Sequence, residues 1–94
     1  MGDLTFAWDE RKNRANVRKH GVSFEEARTV FSDENAVRYY DPDHSEDEER
    51  FILLGMSALS RVLVVCHCGR ESESVIRIIS ARKADKREQK EFWR

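Results

Sequence analysis

Four runs of β-branched and aromatic residues fill most of the chain after residue 35: "AVRYYD" (36–41), "RFILLGMS" (50–57), "RVLVVCHC" (61–68) and "VIRIISAR" (75–82). Each run has strand character. Their connections are short, which favours neighbouring strands pairing in sequence as an antiparallel meander. The turn "DPDH" ends the first run, and a hairpin near "ALS" joins the second to the third. The acidic stretch "SEDEER" (45–50) reads as irregular or as one helical turn, and "GRESES" (69–74) as a loop.

Ahead of these runs the pattern changes. "LTFAW" (4–8) alternates like a first strand. Asp9 is placed to cap a helix over "ERKNRANVRKH", and Gly21 to stop it. That helix is mostly polar, with Ala15 and Val17 as its apolar contribution, so it belongs at the surface. Ser23 and Glu26 have capping-box spacing, with Val22 and Ala27 as a hydrophobic staple. Phe24, Ala27, Val30 and Phe31 then make one apolar face of a second helix, over about 24–32. The last segment, "KADKREQKEFWR", reads as a basic helix docked by Phe92 and Trp93. One of Tyr39 and Tyr40 is expected in the core. The order is β-α-α-β-β-β-β-α, an α+β fold with an antiparallel sheet, helices on one face and a C-terminal helix.

The 94 residues fit one domain, 1–94, with no internal repeat or linker. No stretch approaches the roughly 18 apolar residues of a membrane span, and the first residues lack signal-peptide character. Two cysteines, both in "CHC", make no disulfide framework. A reducing, cytoplasmic setting without membrane partners is expected. The net charge of −1 conceals a segregated pattern. Residues 33–50 hold eight acids and two bases, whereas 77–94 hold seven bases and three acids, and 9–20 five bases and two acids. Basic segments of this kind suit phosphate-bearing partners.

"FAWDERKNRANVRKHGVSFEEARTVF", Asp41, "HSEDEERFILLG", "RVLVV" and "IRIISARKA" together resemble the BrnT family of bacterial toxins across nearly the whole chain. The resemblance implies a fold like that of the RelE ribonucleases. It also implies a type II toxin that cuts RNA and arrests translation and growth. Its implied partner is a BrnA-like ribbon-helix-helix antitoxin, and operator DNA would be met only through that complex. A homodimer through an edge strand, or a heterotetramer with the antitoxin, is compatible with it.

Metal-independent RNA cleavage needs a base for the 2′-hydroxyl, cations for the phosphorane-like transition state and an acid for the leaving 5′-oxygen. Arginine suits the second role because its planar fork binds phosphate bidentately. Arg77, within the last strand, is the first choice, against the plain alternative of a sheet arginine paired with a glutamate. Arg61 is a further catalytic cation. Arg50, Arg82, Lys83 and Lys19 are candidate RNA-phosphate binders, although Arg50 and Arg61 fit surface ion pairs equally well. Glu49 is a candidate base, set in an acidic run that is commonly a solvated face. His67 and His44 are of the type that exchanges protons near neutral pH, although a lone histidine is more often simply hydrogen-bonded. His20 is read as part of the interhelix turn.

Strict alternation puts Arg77 and Arg82 on opposite faces of the last strand. They share a face only if the strand ends or bulges between them, near Ser80 and Ala81. Alternation also separates His67 from Cys66 and Cys68, which argues against a zinc site, and "DPD" is foremost a turn. No metal or other cofactor is expected. Phe92 stands where the family is expected to carry a tyrosine, which puts a tyrosine acid there in doubt. A non-catalytic module that only docks its antitoxin is the competing reading.

Overall fold

The computed structural model describes residues 4–44, 48–69 and 74–94. The expected turn at 45–50 and the loop at 69–74 therefore lie partly outside the described residues. Among the described residues there are five strands and three α-helices: β1 Thr5–Ala7, α1 Glu10–His20, α2 Phe24–Thr29, β2 Val37–Tyr40, β3 Arg50–Met56, β4 Val62–Cys68, β5 Val75–Lys83 and α3 Lys86–Phe92.

The helices begin and end where side chains satisfy their free backbone groups. An Asp9 carboxylate oxygen accepts from Arg11 N at 2.8 Å. Gly21 takes the left-handed conformation (φ 70°), and its N–H closes the helix on Val17 O at 2.8 Å. Ser23 Oγ accepts from Glu26 N at 3.0 Å and caps α2. A 3-10 turn, Val30–Ser32, extends α2. Asp85 and Glu88 form a complete capping box on α3.

α1 lies at the surface, as its composition implies, and its buried side is polar. Val17 is exposed, whereas Asn13 and Asn16 are buried. Both buried asparagines replace backbone partners. Asn13 Oδ1 accepts from Phe24 N at 2.8 Å. Asn16 donates to Ala81 O at 2.7 Å and accepts from Ala81 N at 3.2 Å. The helix is thereby stitched to β5 beyond its pairing with β1, where strand backbone would otherwise lack partners.

The sheet order is β1-β5-β4-β3-β2. β2 through β5 form the expected antiparallel meander, but β1 pairs with β5 in parallel, so the sheet is mixed. The reason is connectivity: α1 and α2 carry the chain from β1 across to the far edge. The meander then returns toward β1, and three reversals bring β5 back in β1's direction.

One side of the sheet carries the main core. Val22, Phe24, Ala27 and Val30 pack on Leu53, Leu63, Val65, Ile78 and Ala81. Gly55 permits this closeness, since a Cβ there would lie 2.8 Å from Ala36 Cβ and 2.9 Å from Val30 Cγ1. The other side carries a smaller cluster, Leu54, Val62, Val64 and Ala84, with Ile52, Met56 and Phe92 against it. The helices are thus not all on one face: α3 sits opposite α1 and α2, held by Phe92, while Trp93 is exposed. Tyr39 and Tyr40 are both exposed on the edge strand β2, so neither joins the core. No helix among the described residues is long and apolar enough to cross a membrane.

Candidate functional site

β5 does not alternate strictly. Val64 pairs with Arg82, Val65 with Ala81 and Cys66 with Ser80, but His67 pairs with Ile78 and Cys68 with Arg77. Ile79 is the extra residue of a β-bulge. Ile78 and Ala81 therefore both reach the main core. Arg77 and Arg82 both stand on the opposite face. Arg50 joins them there, because it pairs with Cys68, which in turn pairs with Arg77. This is the face carrying α3, hereafter the open face.

A cleft of about 440 Å³ lies on it. Lys19, Arg50 and Arg82 supply its positive charge, and His20, Asp41 and Ser80 its other polar groups. Ile52, Val64 and Cys66 form part of its apolar lining. Local structure explains the convergence. The Asn16 bonds to Ala81 fix the last turn of α1 beside β5, bringing Lys19 and His20 to the rim. Asp41 ends β2 with its N–H on Arg50 O at 2.9 Å.

The arginine forks of this face are engaged. Arg82 makes a bidentate pair with Glu88, Nη1 to Oε1 at 2.7 Å and Nη2 to Oε2 at 2.8 Å. That hydrogen bonding lowers the Glu88 pKa, so the pair is ionic. Arg77, half-exposed, pairs with Glu48 and lies 3.8 Å from Cys68 Sγ. The Arg50 Nε is buried. Burial pushes both the Cys66 and Cys68 thiols upward, with Arg50 pulling each the other way. Raised thiols stay protonated and make poor nucleophiles.

The structure does not bring Arg61, His67 or Lys83 to this cleft. Arg61 binds the buried Glu26 carboxylate through Nε (2.9 Å) and Nη2, and Nη2 also donates to Gly21 O at 3.1 Å. Glu26, engaged by Arg61 and Ser57, does not complete the capping box with Ser23. His67 is 2% exposed, edge-on to Phe31 and stacked on Phe51. Burial lowers its pKa to about 4, so it is neutral at pH 7. Lys83 pairs with Leu63 and shares its face. Glu49 is exposed just ahead of β3 and is not among the residues lining the cleft.

Sequence reasoning gave His20 and Asp41 to turns and missed their meeting. The signals present were a strand end at Asp41 and a helix end at His20, but their proximity depends on the Asn16 stitch. A shallower depression of about 800 Å³ lies over Phe6, Phe31 and Met56. Two of its polar groups already serve the fold: Asp33 accepts from Met56 N, and Thr29 Oγ1 accepts from Ala58 N, both at 2.8 Å. The cleft is therefore the better site.

The chain is a small α+β protein whose open sheet face gathers Lys19, Arg50 and Arg82 around a cleft. The chain belongs to the BrnT family, described as the ribonuclease toxin, BrnT, of type II toxin-antitoxin system, whose model matches residues 8–88. Its fold is similar to the crystal structure of the Brucella abortus ribonuclease toxin BrnT, with a TM-score of 0.62 and 24% sequence identity, covering 88% of this chain and 99% of that one. No curated protein sequence matches it.

Proposed function

We propose that this chain is a metal-independent endoribonuclease, RelE-like in its chemistry, and that the open-face cleft is where RNA is cut. The observation that carries the reading is the convergence of Lys19, Arg50 and Arg82 with His20 and Asp41 in one cleft. Arg50 and Arg82 hold the oxygens of the scissile phosphate, and Lys19 adds a point charge at the rim. Their charge favours the phosphorane-like transition state over the ground-state diester. Arg77, in the same cross-strand row as Arg50 and Cys68, is assigned to bind a neighbouring phosphate.

Asp41 is the group assigned to take the 2′-hydroxyl proton, with Glu49 as the alternative base. Histidine is the side-chain type suited to returning a proton near neutral pH, and His20 is assigned to protonate the 5′-oxygen. The 2′-oxygen attacks phosphorus, the bond to the 5′-oxygen breaks, and the products are a 2′,3′-cyclic phosphate and a 5′-hydroxyl. His67 and Arg61 are assigned to the fold, and Lys83 to the rim of the helix-covered face. Phe92 is seated in the apolar cluster beneath α3, so no proton is routed through position 92.

In the cell this activity inhibits translation in the cytoplasm and is neutralised by a BrnA-like ribbon-helix-helix antitoxin, whose complex represses the shared operon. Purified protein incubated with RNA in EDTA is expected to generate cyclic-phosphate ends, and expression without antitoxin to arrest growth. Intact RNA from folded protein, together with harmless expression, would favour a non-catalytic docking module instead.

A further inference from the structure

The contact between Arg82 and Glu88 joins the cleft to the C-terminal helix. Arg82 gives its end-on pair of N–H groups to the two Glu88 oxygens. A phosphate bound bidentately end-on requires that same pair. The carboxylate thus stands where a substrate oxyanion would.

Glu88 is carried on a light support. α3 spans Lys86–Phe92, contains no buried residue, and contributes Phe92 alone to the cluster beneath it. A hollow of about 420 Å³ lies between the sheet residues Ile52, Leu54 and Val64 and the helix residues Glu88 and Glu91. The helix does not depend on the ion pair for its start. Glu88 Oε1 also accepts from Asp85 N at 2.9 Å, and Glu88 N donates to Asp85 Oδ1 at 2.8 Å. Glu88 can therefore release Arg82 and still complete the capping box.

We infer that Glu88 is an internal competitor for the phosphate of the RNA substrate: it occupies the Arg82 fork in the resting protein, and RNA binding displaces it. This rests on the reading of the cleft as the RNA site. Substrate binding then includes the breaking of one partly exposed ion pair, and Glu88 sets how tightly RNA is held without joining the chemistry.

Glu88→Gln separates the competitor from the cap, because glutamine serves equally at this capping-box position while lacking the charge. Affinity for an RNA blocked by 2′-deoxy substitution at the cleavage site is expected to rise about threefold, the scale of a partly exposed pair. KM for cleavable RNA should fall in step, with kcat unchanged. In an Arg82→Ala background, the same Glu88→Gln change should yield no gain. Thermal melting and far-ultraviolet circular dichroism confirm that each variant is folded. Unchanged or weaker RNA binding by folded Glu88→Gln overturns the inference. If Arg82→Ala still loses RNA affinity in that case, the cleft reading stands. Full binding and cleavage by Arg82→Ala overturns both.

Discussion

Arg77 and Arg82 are five positions apart on β5 yet stand on the same face of the sheet, because Ile79 is inserted as a bulge between them. The same insertion lets Ile78 and Ala81, three positions apart, both enter the main core. One extra residue therefore serves packing and charge placement together.

Deleting Ile79 leaves Ile78 and Ala81 two positions apart and Arg77 and Arg82 four apart, so regular alternation keeps both pairs on their present faces. The deletion is therefore expected to be tolerated, with RNA binding retained and a loss of unfolding free energy below the roughly 2 kcal/mol of a side chain leaving the core, read by urea denaturation. Loss of the fold, or loss of RNA binding by the folded variant, would contradict this account of the bulge.

The Glu26–Arg61 pair is expected to matter for folding rather than for RNA. Arg61→Ala leaves a buried carboxylate with Ser57 as its remaining side-chain donor. A fully buried pair broken this way costs about 3–5 kcal/mol, and partial exposure of Arg61 reduces the expectation to about 2 kcal/mol. The Arg61 hydrogen bond holds the Glu26 pKa below its ordinary 4.5. A depressed folded-state carboxylate stabilises above the unfolded pKa and loses that contribution as pH falls through the folded value. Stability should thus drop below about pH 4.5 in the parent, and much less in Arg61→Ala.

His67 gives a second, separable acid response. Its folded pKa is about 4 against an ordinary 6.5. Between those values the unfolded chain binds a proton that the folded chain refuses, so stability falls as pH drops from 6.5 toward 4. The full effect is about 3 kcal/mol at 1.36 kcal/mol per pKa unit. His67→Phe, set against Phe31 and Phe51, should flatten this limb of the stability curve and leave RNA cleavage intact. Lost cleavage with an intact fold would return His67 to the catalytic groups.

The sequence made local features legible and left distant ones obscure. The ends of α1 follow from Asp9 and Gly21, and the strands from their β-branched runs, because both signals act within a few residues. The parallel β1–β5 pair was not legible, since it depends on where the helices deliver the chain. The bulge was legible only as a condition: Arg77 and Arg82 would need one in order to share a face. Arg50, Arg82 and Lys19 were singled out by residue type as candidate phosphate binders, and they line one cleft. That they meet His20 and Asp41 depends on cross-strand register and on Asn16, whose polar side chain gave no sign of being buried.

The central claim is that RNA is cut in the open-face cleft. Single-turnover cleavage of an RNA oligonucleotide in EDTA, by folded His20→Gln, Arg50→Ala and parent protein, tests it most directly. The account predicts rate losses of about 10²-fold or more for both variants, the scale for removing a proton-transfer group or a transition-state cation. Parent-like rates in both would contradict it.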